Sequence, residues 1–580
     1  MTTTTQLRNS RVHRRLLHSA SVLTILSGVL LALSATFSYA DSATWSMDPT
    51  SGDWNTAANW TPKVVPNGPS DIATFDTSGI TEVSVRQLIL LESINFSSSA
   101  SAFTISTPPG GELAVIGSGV ENNSGTIQNF EIGGQVGEST IQFSNSATAG
   151  TLTTYTVTGS TDNVALIYFL QTSSAGNASF TNEGFGGNGE LFYDESSAGN
   201  GIFTNNDEGG VGFYYSSTAG QATFTNNPDE HSPGGGEVGF HFDSSAGDST
   251  IINNGSATNS GGYGSAVFED STSAENATII NNGSSVDRGV GGLTIFTLDA
   301  AAGNSTLIAD AGTNGGDGGR IRFMSSATGD TSRVELFGNG SLSILAHDTP
   351  GVTIGSLEGD GLVFLGRRNL FIGSNNLSTI FAGVIQDRGS LVKIGGGTLK
   401  LSGASTYTGG TVINEGTLTV ANRSGSGTGT GAVEVNAGNL GGKGIIAGAV
   451  TVGTGSGTGA FLAPGAGARK TNTLTIQSAL TIKADGTYSY RVKTKRAEAD
   501  QVIANGVTIE SGAQFSFKQL GNKQLTAGTV FSVLDNTSAN PIAGTFDNLP
   551  DDSTFTVSNN TYQADYQGGD GNDLTLTVVP

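Results

Sequence analysis

The chain has no cysteine, so no disulfide supports the fold, and neither thiolate chemistry nor a cysteine-ligated zinc is available to it. Histidine is nearly as scarce. Of five in 580 residues, two fall in the first forty, leaving His231, His241 and His347, none of them at a metal-ligand spacing from another. No G-x-S-x-G elbow occurs either, so hydrolysis by a Ser-His-Asp triad or by a bound metal has few residues to draw on. His241 lies in Phe240-His241-Phe242 and is expected to face solvent if Phe240 faces inward, because neighbouring strand residues alternate sides. Charge is sparse, at 13% of residues, and positive charge sparser still: 26 Lys and Arg against 49 Asp and Glu give a formal net charge of −23. A field of that sign repels nucleic acid and anionic lipid headgroups.

What is abundant is glycine, 86 residues of it, together with enough apolar residues (36%) to build a core that is narrow and repeated rather than thick. The first forty residues read as a signal peptide: Arg8, Arg11, Arg14 and Arg15, an apolar stretch from Val22 to Leu33, then the small-x-small site Ser38-Tyr39-Ala40. Mature protein is expected to begin at Asp41 and to contain no membrane span. Taking four positive charges from −23 leaves −27. The expected location is outside the inner membrane of a bacterium, whether periplasmic, cell-surface or extracellular.

Between about residues 140 and 335 a phrase recurs, as in Ser173-Ser174-Ala175-Gly176 and Ser196-Ser197-Ala198-Gly199. Its closing position falls at Gly150, Gly176, Gly199, Gly220, Gly247, Glu275, Gly303 and Gly329, in steps of 21 to 28 residues. Repeats of this length are stacked supersecondary units. Seven residues earlier stands a phenylalanine (Phe143, Phe169, Phe192, Phe213, Phe240, Phe268, Phe296), with Phe323 one residue out of step. Four residues later comes Phe180, Phe203, Phe224, Ile251, Ile279 or Leu307, and two beyond that Asn182, Asn205, Asn226, Asn253 or Asn281. In a parallel β-helix equal offsets stack about 4.8 Å apart, so phenylalanines form inner columns. The asparagines are expected to line a turn, bonding along their column and tolerating left-handed backbone. The predicted fold is all-β, a right-handed parallel β-helix of roughly 15 to 20 coils with a β-rich C-terminal cap.

From Leu391 the wording becomes specific. Leu391-Val392-Lys393-Ile394-Gly395-Gly396-Gly397-Thr398-Leu399-Lys400-Leu401-Ser402-Gly403 is followed by Thr406-Tyr407-Thr408-Gly409-Gly410-Thr411 and Glu415-Gly416-Thr417-Leu418-Thr419-Val420. This resembles the autotransporter-associated β-strand repeat, with Ser405 where Asn is usual. The resemblance implies a passenger-like exported protein and supplies no catalytic residue. Residues up to the closing Val578-Val579-Pro580 show no run of ten-residue alternating strands, so a passenger lacking a C-terminal barrel is expected. The expected organisation is a signal peptide (1–40), an N-terminal β cap (41–110), Gly/Asn-rich β-helix repeats (111–385), the autotransporter-associated repeat region (386–470) and a C-terminal β-rich cap (471–580).

Other constellations are read structurally. Gly438 to Gly444 imitates a phosphate loop but lacks its Ser or Thr, and Gly568 to Asp573 resembles one calcium-roll repeat without a tandem copy. Trp45, Trp54 and Trp60 are expected to shield the open solenoid end rather than stack on sugars, and Lys493, Lys495 and Arg496 to be solvated. Glu195, Asp243 and Asp299 stand four residues before the marker, with Asp194 and Asp270 five before it. Stacked carboxylates repel, so weak calcium binding is expected along this edge, centred on Asp243, Asp270 and Asp299, with no other cofactor. The functional expectation is a non-enzymatic surface or extracellular protein, structural or adhesin-like, meeting a surface, matrix or glycan ligand. The alternative is a polysaccharide lyase or hydrolase, which needs a cleft with convergent carboxylates and basic residues.

Overall fold

The computed structural model describes residues 41–134, 137–160, 163–184, 189–259, 261–466 and 470–580. The expected leader lies outside them. Apart from one 3-10 turn, Ala57–Asn59, the regular structure described is all strand, and nearly all of it is paired in parallel. Backbone contacts divide the chain into two units, residues 1–295 with 313–316, and 296–312 with 317–580.

In the first unit each coil contributes one strand to each of two parallel sheets. The first sheet runs from Ala43–Trp45 and Ile72–Phe75 through Gly137–Phe143, Gly189–Phe192 and Glu237–Phe240 to Ser265–Phe268. The second includes Asn177–Gly184, Ile202–Asn205, Thr223–Asn226 and Thr250–Asn253. Parallel pairing thus reaches upstream of residue 110, into the segment expected to cap the stack. The phenylalanine columns form as the offsets require. Phe143, Phe169, Phe192, Phe213, Phe240 and Phe268 stack with centroids 4.5–5.1 Å apart and rings within 11° of parallel. A second column, Phe130, Tyr155, Phe180, Phe203 and Phe224, meets the first edge-on at 76–84°. Phe143, Phe169, Phe192 and Phe213 are therefore stacked along their column and T-shaped across the core, both favourable aromatic geometries, while further along Ile251 and Ile279 succeed Phe224 in the second column.

The recurring phrase turns the corner between the sheets. Thr148, Ser174, Ser197, Thr218, Ser245 and Ser273 pair coil to coil as single parallel bridges. The hydroxyls of Thr148, Ser174, Ser197, Thr218 and Ser273 accept the amide of the residue two places on, 3.0 Å in the pair Gly199 N to Ser197 Oγ, while Ser245 Oγ donates to Thr218 Oγ1 at 3.1 Å. The marker glycines Gly176, Gly199, Gly220 and Gly247 all take φ of 57–64°. A Cβ on Gly220 would lie 2.8 Å from the carbonyl oxygen of Gly199. Glycine is required here twice over, by conformation and by the coil beneath.

The asparagines differ from expectation in place but not in bonding. They lie within or at the end of strands and take extended backbone rather than lining a left-handed turn, because a residue two after an inward apolar residue shares its face. Asn182, Asn205, Asn226, Asn253 and Asn281 are buried, and each Nδ2 donates to the next Oδ1 at 2.7–2.9 Å.

The second unit is also a parallel stack, with different coils. Arg320–Phe323, Ser341–Ser343, Leu362–Phe364 and Val384–Gln386 form one face. On another, Asn369–Ile372, Ser390–Lys393, Thr411–Ile413, Val433–Val435 and Val450–Val452 follow one another. Beside them run Thr379–Phe381, Thr398–Leu401, Thr417–Val420 and Gly438–Gly442. Aliphatic residues replace aromatic ones, so Leu399 stacks under Leu418 and Leu401 under Val420. Near the C-terminus the pairing reverses: Val530–Asn536, Asp573–Val579, Asn560–Gly568 and Thr554–Val557 are antiparallel neighbours. The last strands of the chain thus leave the parallel pattern of the coils.

Candidate functional site

The acidic edge occupies the turn five and four residues before each marker. The residue five before adopts a left-handed backbone, with φ of 54° at Asn145, 61° at Gln171, 58° at Asp194, 60° at Phe242 and 58° at Asp270. That conformation leaves an amide pointing along the stack, and a side chain from the following coil meets it. Gln171 Oε1 accepts Asn145 N at 2.7 Å, Asp194 Oδ2 accepts Gln171 N at 3.1 Å, and Asp270 Oδ2 accepts Phe242 N at 3.2 Å. One carboxamide and two carboxylates share this capping role. Asp243 is exposed beside Phe242 in the first unit, and Asp299, in the second, accepts Ser326 Oγ at 2.6 Å. Among the described residues no three His, Asp or Glu side chains converge as a metal site would require.

His241 corrects the expectation of a solvated strand residue. It does leave the inner core, but its ring is 7% exposed and stacks on Tyr214 at 4.8 Å and 13°, with Tyr214 stacked in turn on Tyr193 at 4.9 Å. Glu269 lies 3.4 Å from its Nδ1. Outward residues at one offset form a column just as inward ones do, and large rings then bury one another. Alongside, Tyr215 and Phe242 stack at 5.0 Å while remaining 47% and 45% exposed. His231 is exposed, and His347 is buried between two carbonyls, its ring nitrogens 2.8 Å from Asp348 O and 2.7 Å from Ala327 O. The three tryptophans are buried around Phe75, with ring centroids 5.6–6.1 Å from it, which leaves no face for a sugar. Gly438–Gly442 is a strand, and Asp573 accepts Asn536 N at 2.8 Å inside the C-terminal sheet. Lys495 and Arg496 are exposed and Lys493 half-buried.

An open cleft of about 560 Å³ in the second unit is lined by Leu345, Gly366, Arg367, Arg368, Asp387, Arg388 and Thr406. Four successive coils build it, contributing Leu345, then Gly366 to Arg368, then Asp387 and Arg388, then Thr406, with Phe364 paired to Gln386 between the middle two. Asp387 Oδ2 accepts Gly366 N at 2.9 Å, and Arg368 Nε donates to the carbonyl of His347. The sequence reading missed this cleft because its arginines lie outside the recurrent phrase.

The segment singled out from Leu391 is seated in the same unit. Its four strands make two stacked pairs, Lys393 opposite Ile413 and Leu399 opposite Leu418. Tyr407 is buried, with its hydroxyl 2.6 Å from Thr411 Oγ1, and Ser405 Oγ accepts Ile385 N at 3.3 Å. Lys393 is buried although lysines are seldom so, and its Nζ donates to the carbonyls of Ile394 at 2.5 Å and Gly395 at 2.6 Å. Burial lowers its pKa to about 8, partly opposed by Glu415. Gly416 beside that ammonium has φ of 69°, and a Cβ on it would clash with the carbonyl oxygen of Gly395 and lie 2.5 Å from that of Gly397, which accounts for glycine there. Residues 391–420 match the family model of the passenger-associated-transport-repeat. No curated protein matches the chain. A passenger repeat built into a parallel β-solenoid marks the chain as an autotransporter passenger-like protein.

Proposed function

We propose that the protein is exported across the inner membrane and serves, without catalysis, as a surface or extracellular β-solenoid of structural or adhesin-like kind. The observation that carries this reading is the passenger repeat at 391–420, set within stacked parallel coils. Two features support it. The leader has the three-part form of a cleavable signal, and the coil exteriors repeat at one strand spacing, which suits weak contacts made many times over. Glycoside hydrolysis calls for a pair of carboxyl groups about 5–10 Å apart, and the cleft offers Asp387 alone, with one oxygen already bonded to Gly366 N. Among the described residues no helix is long and apolar enough to cross a membrane.

The test is fractionation of the native cells with protease shaving of intact ones, and N-terminal sequencing of the mature chain. A chain starting at Asp41 and degraded on intact cells is expected. Full-length chain recovered in the cytosol with Met1 retained would refute the proposal.

A further inference from the structure

In the second unit of this strongly acidic chain, three arginines without carboxylate partners are gathered at one cleft. Some arginines find one, as Arg491 does with Asp500 at 2.8 Å, Arg333 with Glu335 at 3.0 Å and Arg288 beside Asp287, whereas among the described residues Arg86, Arg322 and Arg423 stand apart from any carboxylate and from one another. Among the described residues no carboxylate comes within ion-pairing distance of Arg367, Arg368 or Arg388, although acidic residues outnumber basic ones 49 to 26. All three line the cleft. Asp387, its single acid, is turned towards the amide of Gly366, so the cleft carries net positive charge.

The guanidinium groups are presented by stacked coils rather than by one flexible loop. Gly366 to Arg368 follow the strand Leu362–Phe364, and Asp387 and Arg388 follow its parallel neighbour Val384–Gln386. Arg368 is fixed by its bond to the His347 carbonyl, whose own ring is clamped between two further carbonyls. Arg367 and Arg388 are exposed, with planar forks that match a carboxylate through two parallel bonds. The remaining lining suits a ring bearing hydroxyls: Thr406 is exposed, Asp387 has a second oxygen, and Leu345, 54% exposed, offers an apolar flank. The cleft volume falls within the usual range for small-ligand sites, roughly 300–1,000 Å³. A densely charged polyanion must approach against the field of the whole chain, whereas a sugar acid with one charge per ring meets less opposition.

We propose that this cleft is a binding site for a uronic-acid sugar, with Arg367 and Arg388 gripping the carboxylate, Arg368 held behind them, and Leu345, Asp387 and Thr406 facing the ring. The site is defined on the purified chain and stands whether or not the protein proves to be exported. Calorimetric titration of the full chain would use digalacturonate, the neutral disaccharide galactobiose, a sulfated disaccharide and inorganic sulfate. Saturable binding of digalacturonate is expected, with galactobiose and inorganic sulfate weaker by about tenfold or more, as loss of a charge-assisted bond implies. Arg367→Gln/Arg388→Gln should weaken digalacturonate by a similar factor or abolish it, while Arg423→Gln, on an exposed residue outside the cleft, should leave it unchanged. Both variants replace exposed side chains, and an unchanged circular dichroism spectrum confirms that they fold. Equal binding of the neutral sugar, or undiminished binding by the folded double variant, would overturn the proposal. So would the absence of saturable binding. Tighter binding of the sulfated sugar overturns the carboxylate assignment, and tighter binding of inorganic sulfate the assignment to a sugar.

Discussion

At the scale of single residues the stack acts as an amplifier, because each side chain meets copies of itself above and below. Phe240 is fully buried, stacks on Phe213 at 4.9 Å and on Phe268 at 4.6 Å, and so has aromatic neighbours on both faces. Phe240→Ala opens a cavity that the repeating backbone cannot close, and a loss of about 3–5 kcal/mol is expected from denaturant unfolding. A loss below about 1 kcal/mol would mean that the coils collapse into the gap. Glu275 poses the opposite case. It occupies the marker position that is otherwise glycine in this unit, with φ of 44° and its amide bonded to Ser273 Oγ at 3.1 Å. Left-handed backbone costs a residue with a Cβ roughly 1–2 kcal/mol. Glu275→Gly should therefore stabilise the protein by about 0.5–1 kcal/mol, after allowance for the added freedom of the unfolded chain. A destabilised variant would show that the glutamate side chain outweighs its backbone strain.

At the scale of the element, what could be read in advance was whatever recurs at a fixed offset. The phenylalanine columns and the recurrence of the phrase with its marker glycine were legible, since stacking turns equal offsets into contacts, whereas the Ser/Thr bridge within that phrase emerged only from the structure. The asparagine row was legible as a hydrogen-bonded column and misread as a turn. Parity with the phenylalanine two residues earlier, available in the sequence, places those side chains inside. Lys393 was not legible as a buried residue, because its burial depends on the carbonyls of Ile394 and Gly395 wrapping back around the ammonium. His241 failed for a related reason. Alternation correctly sends it away from Phe240, but what awaits it is Tyr214 from the preceding coil rather than water. The arginine cleft is the hardest case: Leu345, Arg367, Arg388 and Thr406 are separated by about one coil each, with no shared motif to reveal that they meet.

At the scale of the whole molecule, acidity and a buried acid act on stability in linked ways. With a formal charge of −23 and an isoelectric point near 4.5, the chain carries growing self-repulsion as pH rises. Glu190 adds a local term of the same sign. It is fully buried at the start of the asparagine column, where Asn182 Nδ2 donates to its Oε2 at 2.7 Å, and burial pushes its pKa up to about 8 against the relief that this bond provides. Unfolded, the same side chain ionises near 4.5. Between these values the folded chain holds a proton that the unfolded chain has released, so stability is fully present below about 4.5 and is lost as pH climbs through 8. The loss is on the order of several kcal/mol. Glu190→Gln keeps the shape, removes the titration, and retains a carbonyl oxygen to accept the Asn182 Nδ2 bond. Stacked repeats open coil by coil, so amide exchange of residues 179–213 is the suitable probe beside the global midpoint. Protection in the wild type should fall between pH 5 and pH 8, after correction for intrinsic exchange, and fall much less in Glu190→Gln. Equal losses in the two proteins would mean that repulsion across the whole chain, and not this buried carboxyl, sets the alkaline limit.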